Sequence, residues 1–121
     1  MDVLELLLKA DVPNLPEKEF KQKRLSELCG GPVIFKLRGL PYNRAADIIK
    51  RQSDDMGVHI ILAGTIEPNL KAPELLEKYS AETPAELVKK MLLPGEIEDL
   101  SRVIEKLSGY RVTTMEEIKK K

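Results

Sequence analysis

Tryptophan is absent from this chain of 121 residues, and aromatic side chains make up only 4% of it. A core built from such a chain is aliphatic, of leucine, isoleucine and valine, and a surface that stacks nucleic-acid bases on aromatic rings is disfavoured. A single cysteine, Cys29, leaves no internal disulfide and no multi-cysteine zinc site, and suits a reducing compartment. The single histidine, His59, stands in an apolar run with no serine or cysteine at a nucleophile-like spacing, so it reads as a packed or surface residue. No GxGxxG or Walker A string occurs, and Pro32 after Gly30-Gly31 removes an N–H that a phosphate cradle would use. The leucine run from Asp2 to Ala10 has acids inside it, no basic lead and no small-residue cleavage site, which argues against a signal peptide and a membrane span.

The remaining candidates for chemistry have structural explanations. Asp54 and Asp55 are adjacent and diverge on either a helix or a strand, so helix capping suits them better than a carboxylate pair. Lys23 and Arg24 lie near Cys29, but no second cysteine is available to resolve a reactive thiol and no helix start is expected there, so an inert turn cysteine is the reading. Neither catalytic residues, metal ligands nor a cofactor are expected.

The chain is one domain by length, with 42% hydrophobic content. Lys plus Arg and Asp plus Glu are both 20, yet the charges are segregated. Residues 17 to 51 hold nine basic and four acidic side chains, and residues 54 to 108 hold six basic and eleven acidic ones. Either the two halves face each other, or the dipolar chain steers a charged partner or self-associates head to tail.

Asp2 with Glu5 three residues on predicts a short N-terminal helix ending near Ala10, broken by Pro13 and Pro16. Lys18 to Arg24 reads as a half-exposed strand or an extended arm and Val33 to Arg38 as a strand, and with Gly30-Gly31-Pro32 as a turn they predict an antiparallel β-hairpin over 18 to 38. Ala45, Ala46, Ile48 and Ile49 fall at helical spacing. Val58 to Leu62 is ambiguous between strand and helix, and Gly57 and Gly64 weaken a helix there. Further helices are expected over 72 to 79, 84 to 92 and 94 to 108. Thr83, Pro84 and Glu86 form a capping box with proline at the first helical position, and Pro94-Gly95-Glu96 opens the next helix, which Gly109 stops.

That last helix carries the clearest periodicity, with Leu93, Ile97, Leu100, Ile104 and Leu107 at steps of four, three, four and three. A seam of two heptads is too short for a free coiled coil. It either closes the protein's own core or, with Leu87, Val88 and Met91, offers an apolar face to a partner. The helix–turn–helix order of 74 to 92 invites a DNA-binding reading, but the would-be recognition helix offers only Lys89 and Lys90 as basic residues and the segment around it is acidic, so nucleic-acid binding is disfavoured.

Four strings, Glu67-Pro68-Asn69-Leu70, Thr83-Pro84-Ala85-Glu86, Leu92-Leu93-Pro94-Gly95-Glu96-Ile97 and Leu107-Ser108-Gly109-Tyr110, follow one another in an order that resembles the XkdN-like phage tail assembly chaperones. Leu4 to Ala10 and Lys23 to Leu28 extend the resemblance over nearly the whole chain. It favours helix for the piece before Glu67-Pro68-Asn69. The architecture then expected is α+β: a mostly helical single domain over 1–112 with a small N-terminal antiparallel β-hairpin, and a flexible tail over 113–121.

The resemblance implies a non-enzymatic protein of the bacterial host cytoplasm that binds the phage tape measure protein and keeps it soluble. Leu87, Met91, Leu93, Ile97, Leu100, Ile104 and Leu107 are the candidate partner-binding residues. The competing reading is a small structural or adaptor subunit that remains in the tail. Lys119-Lys120-Lys121 suggests a slippery A-rich codon run, from which a frameshifted longer form would contact the tail tube protein.

Overall fold

The computed structural model describes residues 2–12, 14–51 and 53–119. The expected helix break at Pro13 and the terminal Lys120-Lys121 of the lysine run lie outside the described residues. Helices begin where the sequence supplies a cap or a proline. The Asp2 carboxylate accepts from the Glu5 N–H at 2.9 Å and opens α1 (Val3–Lys9), and Thr83 Oγ1 accepts from the Glu86 N–H at 3.1 Å to open α6 (Pro84–Met91). The second half of that capping box is displaced: the Glu86 carboxylate accepts from Glu82 N–H, one residue before the cap, at 2.9 Å. α5 (Pro73–Lys78) and α7 (Pro94–Leu107) also open on proline, whose missing N–H has no partner to lose in a first turn.

The region around Val58–Leu62 is helical. α4 (Met56–Gly64) follows α3 (Tyr42–Arg51) and a short 3-10 turn, Ser53–Asp55, and buries Val58, Ile60, Ile61 and Gly64. It packs against α7, α3 and α6, so a segment apolar on every side finds neighbours on every side, and packing overrides its β-branched content. One of its glycines does more than weaken it. Gly64 lies so close to Ile104 that a side chain would collide with it, so this glycine lets α7 approach, whereas a Cβ on Gly57 would meet Ser101 and Ile97 only in ordinary contact.

Strands β1 (Glu17–Lys21), β2 (Ile34–Arg38) and β3 (Thr65–Glu67) form an antiparallel sheet in the order β1-β2-β3. Phe20 pairs with Phe35 and Lys18 with Leu37, while Glu17 stands opposite Arg38 and Glu19 opposite Lys36. Every residue of β1 is exposed, and its four charged side chains blunt an edge that would otherwise recruit another strand. The pairing expected for residues 18 to 38 is present, but its connection is not a glycine turn. The first strand stops at Lys21, and α2 (Lys23–Cys29) fills the connection. Gln22 Oε1 caps that helix by accepting from Leu25 N–H at 2.8 Å, and Gly30 at φ +69° closes it in a left-handed conformation that a side chain would strain. Ser26 Oγ accepts from Val33 N–H at 2.9 Å and ties the returning chain to the helix. β3 was not expected from the sequence; its pairing with β2 shifts register between Lys36 and Leu37, leaving Ile66 as an extra residue.

The core lies between the inner face of the sheet and the helices, with Phe35, Leu37, Ile61, Leu87, Val88 and Ile104 almost wholly removed from solvent. At its lower end β2 and α7 are joined: Ser108 Oγ accepts from Leu40 N–H at 2.8 Å, and a Cβ on Gly39 would meet the Leu107 carbonyl oxygen at 2.4 Å. Residues 113–119 are exposed and carry no regular secondary structure.

Candidate partner-binding surfaces

The periodic seam of α7 turns largely inward. Leu100 and Ile104 are buried, as are Leu87 and Met91 of α6, so four of the seven residues singled out from the sequence sit together in the protein's own core. Ile97 and Leu107 are half-buried against that core. Leu93, just before α7, is exposed. The apolar stripe therefore faces α4 in cis, and what it turns to solvent is Leu93, with the half-buried Ile97 and Leu107 partly covered.

The largest exposed apolar element is one that the sequence reading did not single out. α1 has no buried residue, and Val3, Leu4, Leu6, Leu7 and Leu8 are between 54% and 75% exposed. Seven residues are too few for a helix to hold itself in water on propensity alone, so α1 has the character of an element that needs a partner. The signal was present in the leucine run, which reads in the sequence only as a short N-terminal helix and not as a signal peptide or membrane span.

Beside the start of α7, a polar cluster ties it to α2. Arg24 donates from Nε and Nη2 to the two carboxylate oxygens of Glu96, both at 2.9 Å, and also to the Met91 carbonyl at 2.9 Å. Gln22 Nε2 and the Leu93 N–H donate to the same carboxylate at 3.0 and 2.8 Å. The hydrogen bonds from Arg24 lead in lowering the Glu96 pKa to about 2, helped by Leu93 and Gln22 and opposed by partial desolvation. The same carboxylate raises the Arg24 pKa. Glu96 thus joins elements more than 70 residues apart in sequence while capping its own helix.

A third surface is a pair of adjoining clefts beside α3, α4, β3 and the loop before α5. One, of about 390 Å³, is lined by residues including Arg38, Arg44, Thr65, Asn69 and Lys71; the other, of about 420 Å³, shares Arg44, Leu62 and Lys71 with it and continues to His59 and Thr83.

The other sequence candidates have local roles. Asp55 stands at the start of α4 but makes no side-chain cap bond, contrary to the capping expected of it; its carboxylate is drawn instead to Lys89 Nζ at 2.7 Å. Lys90 donates to the Ser80 carbonyl, so both lysines of the would-be recognition helix are engaged within the fold. Cys29 is exposed at the end of α2. Among the described residues no group of three or more His, Cys, Asp or Glu is placed to hold a metal ion, and no helix is long and apolar enough to cross a membrane.

No curated protein matches this sequence. Among solved structures, the crystal structure of the protein yqbn aligns with a TM-score of 0.72 at 24% identity, covering 91% of this chain and 98% of that one, so the two share a fold. The family model described as the phage XkdN-like tail assembly chaperone protein matches residues 4–120, a span that takes in α1, the sheet and every other helix. The chain belongs to the XkdN-like phage tail assembly chaperone family.

Proposed function

We propose that this protein binds the tape measure protein in the host cytoplasm and keeps it soluble until the tail tube assembles around it, acting by contact and not by catalysis. The exposed leucine face of α1 carries this reading, together with membership of the family. A long helical client presents apolar seams that aggregate when bare, and covering them gains about 25 cal/mol per Å² of apolar area removed from water. α1 supplies such a face, and the chain after it meets the body where Gly39 N–H donates to the Pro16 carbonyl at 3.0 Å. Leu93 and the half-buried Ile97 add a second, smaller apolar contact. Leu87, Met91, Leu100 and Ile104 serve the client only indirectly, by holding the fold.

Co-expression tests this reading. The soluble yield of the tape measure protein rises when this chain is made alongside it, and purified tails lack the chain. Its retention in finished tails would instead favour a structural or adaptor subunit.

A further inference from the structure

The two adjoining clefts bring together cations that the fold leaves unused. Arg38, Arg44 and Lys71 are exposed, and none forms an ion pair with a described residue. Asp47, which lines the second cleft, is already engaged by Arg51 at 2.9 Å. Among the polar groups of the lining lie a few apolar side chains, with Leu62 and Ile66 half-buried and Leu70 buried. Thr65 Oγ1 is buried here with no hydrogen-bond partner among the described residues, a donor left unsatisfied beside the cations. Unused positive charge and an orphan hydroxyl beside partly exposed aliphatic side chains match a segment that carries both carboxylates and aliphatic side chains.

We propose that this groove docks an acidic amphipathic segment of a partner protein, with Arg44 and Lys71 taking its carboxylates and Leu62 and Ile66 its apolar side chains. This rests on the reading that the chain works by binding protein, but not on which protein that is. Three cations with aliphatic side chains among them suit a few carboxylates better than a polyphosphate backbone, whose binding needs many more neutralising contacts.

The test uses the full chain, isotope-labelled for NMR, and a short synthetic helical peptide of Glu and Leu beside its counterpart with Gln at every Glu position. The Glu peptide shifts the amide resonances of Thr65 and Leu62, binds more tightly than the Gln peptide, and weakens as salt is added. Arg44→Glu combined with Lys71→Glu lowers its affinity by roughly tenfold or more while the melting temperature holds. Equal binding of the two peptides to the wild-type chain overturns the proposal, and that arm needs no variant to fold. So does an unchanged affinity in the folded double variant, tighter occupation of the groove by an oligonucleotide, or filling of the groove by a second copy of the chain. A negative peptide result with the tape measure protein still kept soluble removes the groove alone; the reverse pair of results removes that client and leaves the groove.

Discussion

A Cβ placed on Gly64 would lie 2.6 Å from Cγ2 of Ile104 and 3.0 Å from the Arg38 carbonyl oxygen. Gly64 ends α4, and Ile104 is fully buried on α7, so neither neighbour has room to withdraw. Gly64→Ala therefore destabilises the fold by about 1–3 kcal/mol even though alanine is the better helix former, because overpacking outweighs propensity. Urea unfolding measures it; a stabilised variant would mean that the two helices are not in this contact.

Leu100 and Ile104 give the opposite kind of defect. Truncating either to alanine opens a cavity and costs about 2–5 kcal/mol. Client capture per folded molecule is unchanged, since both side chains lie inside. Thermal unfolding and pull-down, run on the same preparation, separate the two effects.

Thr83→Ala removes the hydroxyl that accepts from the Glu86 N–H at 3.1 Å and lowers stability by about 1 kcal/mol. Thr83→Ser retains the acceptor and most of the stability, which distinguishes the cap from the loss of a methyl group.

Acid sensitivity follows from Glu96. Its carboxyl is held at about 2 in the folded chain, against an unfolded value of about 4.3, so the stability it adds is fully present above the unfolded value and is lost as pH falls towards the folded one. Melting temperatures measured down this window fall more steeply for wild type than for Glu96→Gln. Parallel curves would mean that the Arg24–Glu96 contact does not persist in solution.

The helices that open on Asp2, Thr83 and Pro94 were legible because their signals are local: a side-chain oxygen or a proline at the first turn fixes the start whatever the rest of the chain does. α2 was not legible, because its cap is a glutamine, Gln22, and its anchor, Glu96, is 72 residues from Arg24. Gly30-Gly31 then looked like a hairpin turn when Gly30 is a helix end. β3 escaped notice because three residues carry no period, and only their pairing with β2 defines them. The seam of α7 showed its period in the sequence but not its direction. That depended on α4, whose apolar residues on all sides gave no face to read.

In the proposed function α1, and not the buried seam, meets the client. The most direct measurement is the soluble fraction of the tape measure protein co-expressed with the wild-type chain, with the chain carrying Leu4→Gln, Leu7→Gln and Leu8→Gln, and with an empty vector. Because α1 buries nothing, the triple variant melts within about 0.5 kcal/mol of wild type, as surface substitutions generally do. If α1 meets the client, the client is soluble with the wild-type chain and insoluble with the triple variant and with the empty vector. A client kept equally soluble by the triple variant, or equally insoluble with and without the wild-type chain, would contradict it.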